Sequence, residues 1–166
     1  STAARPAPGT GFMLTTSGST GLPKVVPLPR TAVDRFVTWA AGTFGFSPDT
    51  TVLNYAPLNF DLCLLDVWTT LAAGGRVVLV DPERAALGTH LLNLVVRHDV
   101  DVIQAVPMFY ALLEQAARKQ GTVLPGPRHV MFSGDVIPER TLARLPALFP
   151  RARVRSGITS PLNITW

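Results

Sequence analysis

The chain has 166 residues, 47% hydrophobic and 16% charged, and its 15 Lys and Arg outnumber 11 Asp and Glu for a formal charge of +4. That length and apolar content exclude a disordered chain and suffice for one globular unit with a sizeable core. The arginines are scattered without interleaved aromatics, so a phosphate-bearing small molecule accounts for the positive sign and no nucleic-acid partner is expected, while the single cysteine, Cys63, excludes an internal disulfide or a cysteine-built metal site.

No apolar run reaches membrane-spanning length and no basic-then-apolar leader opens the sequence, so no membrane contact and a cytoplasmic location are expected. Residues 1–11, rich in Ala, Pro and Gly, read as a flexible N-terminal segment, and residues 12–166 as one α/β unit. The run Leu14 to Lys24, L-T-T-S-G-S-T-G-L-P-K, packs hydroxyls and glycines between two apolar stretches that read as strands, Gly11 to Leu14 and Lys24 to Leu28. Small residues let backbone N–H groups turn inward around an anion while Ser, Thr and Lys side chains add donors and charge. A plain hairpin turn is the competing reading. The Walker pattern fails, because Leu22 and Pro23 separate Gly21 from Lys24 and Val25 follows the lysine, and no G-x-G-x-x-G is present.

Thr31 and Asp34 have the spacing of a helix-opening capping box, and apolar residues from Val33 to Phe44 recur at helical intervals, predicting a helix over 31–44. Thr51 to Ala56 reads as a strand, and Leu64, Leu65, Trp68, Leu71 and Ala72 as one face of a second helix that runs from Phe60 to Gly74-Gly75. Arg76 to Val80 and Val100 to Val106 read as strands buried on both faces. Helices are predicted over 87–98 and 108–119, a strand over His129 to Phe132, a helix from Pro138 kinked or ended by Pro146, and a last strand over Arg151 to Arg155. The alternation predicts an α/β fold, a predominantly parallel sheet with helices on both faces. Ligands in such sheets bind beyond the carboxyl ends of the strands, so the loops after Leu14, Ala56, Val106, Phe132 and Arg155 are expected to converge on one edge.

Asp61, at the opening of the second predicted helix, is placed where the helix dipole favours a carboxylate, and it reads as a cap or as the holder of an ammonium group. Asp66 reads as surface or as a local hydrogen-bond partner. Trp39 and Trp68 read as core packing, and His90, His98 and His129 as isolated histidines without metal-like spacing. Ser133-Gly134-Asp135 reads as a turn into a helix. No G-x-S-x-G elbow and no paired carboxylates support a hydrolase.

The run T-T-S-G-S-T-G-L-P-K closely resembles the signature loop of the adenylate-forming superfamily, and F-D-L-C-L-L-D-V-W-T-T-L-A-A-G-G resembles the Phe-Asp motif of its amino-acid-activating members in nonribosomal peptide synthetases. The resemblance implies one subdomain of that fold and ATP-dependent activation of an amino acid to an aminoacyl adenylate, with ATP and Mg²⁺ as cofactors. It implies that Thr16, Ser17, Gly18, Ser19, Thr20, Gly21 and Lys24 hold the phosphates, that Asp61 pairs with the substrate amino group, and that Gly134, Asp135 and Thr159 meet the nucleotide, Lys24 and Thr159 also acting in catalysis. The sequence departs from the family at Val25, at Asp135 in place of glutamate, and at Ser156 to Ser160, where Tyr-Gly-Pro-Thr-Glu is expected; the Mg²⁺-binding glutamate falls on Ser160. A metal loses a hard anionic ligand there, so a weakened or absent Mg²⁺ site is expected. The segments that precede and follow this region in the family, including the domain with the catalytic lysine, are not in the sequence. A carrier protein, a missing half supplied in trans, or a homodimer formed through uncovered apolar surface are the implied partners, and an inactive remnant acting as an interaction module is the alternative to an enzyme fragment.

Overall fold

A computed structural model describes residues 6–16 and 24–156. Two sheets are present among them, an antiparallel pair and a five-stranded parallel sheet. The pair is a hairpin of β1 (Thr10–Thr16) and β2 (Lys24–Pro29), with Leu14 opposite Val26 and Thr16 opposite Lys24. The expected strands are therefore present, but they stand apart from the parallel sheet, because a short connection can only return the chain antiparallel. Helix α1 (Arg30–Phe44) follows directly and is stopped by Gly45 at φ 63°. Its N-cap is Pro29 and no side chain caps it, so the Thr31/Asp34 box does not form. The strand runs straight into the helix and leaves Thr31 already inside it.

The sheet order is β4-β3-β5-β6-β7, comprising β3 (Thr51–Asn54), β4 (Arg76–Leu79), β5 (Val102–Ala105), β6 (His129–Phe132) and β7 (Arg153–Ser156). All pairings are parallel. The three inner strands, β3, β5 and β6, are buried along their whole length. Strand β4 lies at the edge with Arg76 and Leu79 exposed, so the expectation of a strand buried on both faces fails there. Its apolar run resembles that of an inner strand, and only its place in the sheet distinguishes it.

The connections settle which face each helix covers. From β3 the chain moves outward to β4 through a π-helix (Leu64–Thr69) and the short α2 (Thr70–Ala72), and then reverses through α3 (Gly88–Arg97) to β5, α4 (Pro107–Gln120) to β6, and α5 (Glu139–Leu142) with α6 (Leu145–Leu148) to β7. Right-handed crossovers in opposite directions place their helices on opposite faces. Two cores result. Leu53, Ile103, Ala105, Val130 and Phe132 pack with α3, α4 and α6, while Val52, Val102 and Met131 pack with α1, the π-helix and Leu14 and Leu28 of the hairpin. Successive residues of each strand alternate between these cores. The helices on both faces match the expected architecture.

Two local differences follow from packing. The helix expected to run on from Phe60 is a series of turns followed by the π-helix. Trp68 is 47% exposed, which corrects its reading as core; its ring instead meets Phe12 edge to face at 5.9 Å, pinning the hairpin to the π-helix. Trp39 is half-buried against Phe36 and Phe44. Pro146 splits the predicted helix as expected, and sits in the first turn of α6, where a missing N–H costs little.

Candidate functional site

The reversal of chain direction leaves a crevice. At the carboxyl ends of β3 and β5 the outgoing segments diverge to opposite faces, and such a switch point is where open α/β sheets bind ligands. Asn54 and Gln104 are register partners at those ends. The segment after Asn54 carries Asp61, the segment after Ala105 begins with Val106, and the turn after Phe132 carries Gly134. The last two meet: a Cβ built on Gly134 would lie 3.5 Å from Val106 Cγ1. The loops after β3, β5 and β6 thus leave one edge of the sheet, as predicted, and the parallel β7 ends toward the same edge at Ser156. The loop after β1, expected among them, lies outside the described residues.

Asp61 is half-buried and lies ahead of Cys63, the N-cap of the π-helix, not within its first turn. Its carbonyl accepts the Leu64 N–H at 2.9 Å. The thiol of Cys63, almost fully buried, is pushed up to about 11, first by burial and then by the charges of Asp66 and Asp61. An unreactive thiol is the consequence.

Gly134 has φ 87°, a left-handed conformation that favours glycine and lets backbone come close to a ligand. Asp135 is exposed, and its Oδ1 accepts the Val136 N–H at 2.7 Å, shaping the turn. Ser133 Oγ beside it is buried without a hydrogen-bond partner. This turn fits close approach of a polar ligand. Thr16 and Lys24 are the last register pair of the hairpin. The connecting residues Ser17, Gly18, Ser19, Thr20 and Gly21 lie outside the described residues, as does Thr159. The structure thus brings Asp61 and Gly134-Asp135 to one sheet edge and sets Thr16 opposite Lys24.

Asp66 is the residue that sequence reasoning underestimated. It is not surface: it is fully buried, and its partner is Asn54, whose Nδ2 donates to Oδ2 at 3.2 Å. Oδ1 has no partner, and burial holds the carboxyl well above the usual carboxylate range. Gln104 Oε1 is likewise buried and unpartnered. The signal in the sequence was an acid and an amide within otherwise apolar stretches, Asp66 among Leu64, Leu65 and Val67, and Gln104 between Ile103 and Ala105.

His90 lies in α3, His98 caps its end and His129 opens β6. His129, mostly buried against Phe44, is lowered by burial and by Arg155, Arg128 and Arg153. Among the described residues no group of three or more His, Cys, Asp or Glu could hold a metal ion, and no helix is long and apolar enough to cross a membrane.

Comparison with known proteins gives consistent results. Residues 4–159 match the family model described as AMP-binding enzyme. The chain is 29% identical over 143 residues to a D-alanine--D-alanyl carrier protein ligase of Bacillus anthracis, a match covering 86% of this chain and 28% of the relative. Among solved structures it is similar to the nonribosomal peptide synthetase FmoA3, at 29% identity and TM-score 0.79 over 90% of this chain and 16% of that one. FmoA3 is also known in an AMPPNP-bound form and in a form bound to alpha-methyl-L-serine-AMP. VinN, solved in complex with L-aspartate, shares the fold at 23% identity and TM-score 0.77, covering 95% of this chain and 40% of that one. The chain spans 28% of the length of the curated relatives it matches.

Proposed function

Because the chain belongs to the AMP-binding enzyme family, we propose that it is part of an amino-acid adenylation domain, in which ATP and an amino acid give an aminoacyl adenylate and pyrophosphate. The observation that carries this reading is the placement of Asp61 and the Gly134 turn along one carboxyl edge of the sheet, around its switch point. Support comes from relatives that act on or bind amino acids and adenylates: the D-alanine ligase, and FmoA3 with its nucleotide and aminoacyl-adenylate forms.

In the reaction a carboxylate oxygen of the amino acid bonds to the α-phosphorus of ATP while the bond to the β-phosphate oxygen breaks. Asp61 pairs with the α-amino group and orients the carboxylate, so that attack is intramolecular in effect. Thr16, Ser17, Gly18, Ser19, Thr20, Gly21 and Lys24 hold the phosphates, and the Lys24 ammonium offsets charge that moves onto the departing pyrophosphate. Gly134 and Asp135 bound the nucleotide through the turn after β6, with Thr159 toward the α-phosphate. The described residues assemble no cluster for Mg²⁺. With Ser160 in the place of a glutamate, a weakened metal site belongs to the proposal and no step is assigned to the ion.

ATP–pyrophosphate exchange with a panel of D- and L-amino acids tests this reading. One or a few amino acids should stimulate exchange, and Asp61→Ala should lower the stimulated rate at least ~100-fold, as loss of a charge-assisted anchor predicts. Exchange that ignores both the amino acid and Asp61 would overturn it. A second reading, an inactive module that docks on the rest of a synthetase, a carrier protein or a second copy, is favoured by Trp68, 47% exposed, and Leu71, 56% exposed, on the helical segment after β3. Light scattering separates the two, since a dimer indifferent to ATP supports the module.

A further inference from the structure

The loop that carries Asp61 is tied at its two ends by one side-chain hydrogen bond. Asn54 closes β3, Asp66 lies inside the π-helix, and residues 55–65 form the loop between them. The Asn54 Nδ2 to Asp66 Oδ2 bond joins the two ends. On the exit side the N–H groups of Leu65 and Asp66 both donate to Leu62 O, at 3.2 and 3.1 Å, immediately after Asp61. Packing does not hold the tip, where Leu58 and Phe60 are 57% and 53% exposed. The fixed points are the flanks: Tyr55 against the Phe109 ring at 4.9 Å, and the buried run Cys63 to Asp66.

A fully buried carboxyl with one hydrogen bond is costly, and an apolar side chain of similar size would stabilise the fold at least as well. Only a directional bond explains a polar pair there. The wide helical register is supported from below by Thr69 Oγ1, which donates to Leu64 O at 2.8 Å, five residues back. π-helical turns of this kind recur at functional sites, where they re-aim one side chain. On the sheet, Gln104 Oε1 stands on the same face as Asn54 and also lacks a donor. Two acceptors on this face of the sheet, Asp66 Oδ1 and Gln104 Oε1, are thus buried without a donor, an arrangement that favours a protonated Asp66 carboxyl.

We propose that Asp66 is the positioning residue of the amino-group site: through Asn54 it clips shut the base of the loop, fixing where Asp61 stands without touching substrate. The role rests on the reading of Asp61 above, but the clip itself is measurable without ligand or turnover. Hydrogen–deuterium exchange on the intact chain should show residues 55–65 equally protected in the wild type and in Asp66→Asn, which keeps a neutral acceptor and donor. In Asp66→Leu the same peptide should exchange about 10-fold faster, with β5 and β6 unchanged. Raising the pH should loosen the loop in the wild type and leave Asp66→Asn unaffected, a response that simple core packing would not give. Should Asp66→Leu fail to fold, Asn54→Ala breaks the clip from the other end with the same local signature expected. Unchanged protection of 55–65 in these variants, or loosening spread evenly over the sheet, overturns the proposal. Asp61→Ala should leave loop protection intact, so loss of the amino-group role and loss of the clip give different results.

Discussion

Gly134 joins backbone strain to function at a single position. Its φ of 87° is open to glycine at little cost, and the nearest atom to an added Cβ, Val106 Cγ1 at 3.5 Å, leaves room for a methyl. The penalty of Gly134→Ala is therefore conformational, about 1 kcal/mol, with no steric addition. Urea denaturation should show that loss with an unchanged m-value. At Asp66 the cost lies in the side chain, a carboxyl sealed from water with one hydrogen bond. Its pairing with Asn54, twelve residues away in sequence, leaves no trace in the local helical spacing around Asp66.

At the scale of elements, α3 and α4 pack together on one side of the sheet because glycine opens α3. A Cβ on Gly88 would fall 2.4 Å from Leu112 O and 3.2 Å from Ala116 Cβ. Backbone oxygen cannot move aside as a flexible side chain can, so Gly88→Ala must push the helices apart. A loss of about 2 kcal/mol is expected, read as a fall in Tm of about 6 °C for a domain of this size. The contact lies on the face opposite the π-helix, so loop exchange over 55–65 should be unaltered in this variant. Elements also explain why the edge strand β4 was misread: an apolar run shows that a strand is tolerated in a sheet and not which neighbours it has.

For the whole molecule, stability should respond to pH through two buried groups of opposite sign. His129 has its pKa lowered by burial and three arginines, so the folded state binds a proton less readily than the unfolded chain. Its contribution is complete above the ordinary histidine value of 6.5 and is lost as pH falls through the lowered one. Asp66 is raised well above 3.8 by burial, so its contribution is complete below that value and is lost as pH rises through the folded pKa. The two windows overlap between 3.8 and 6.5, where the slopes oppose each other; above 6.5 only the Asp66 loss remains, so thermal melts should fall there as pH rises. Asp66→Asn should abolish the fall above pH 6.5, while His129→Gln should leave it in place and make the melts fall more steeply with pH just below 6.5.

The local chemistry of the chain determined the elements. Apolar runs bounded by turn residues predicted β6 at His129–Phe132 and the strands and helices around it, and their alternation fixed a parallel sheet with covered faces. Resemblance to the motifs of the family singled out Asp61 and the Gly134 turn. Tertiary structure alone decided how those pieces are shared among faces and edges: that the hairpin forms its own sheet, that β4 is peripheral, that Trp68 is exposed and that Asp66 is sealed inside against Asn54. Periodicity reports which side chains avoid water. It carries no record of which distant segment provides the shelter, because that is set by crossover handedness and close packing across residues far apart in the sequence.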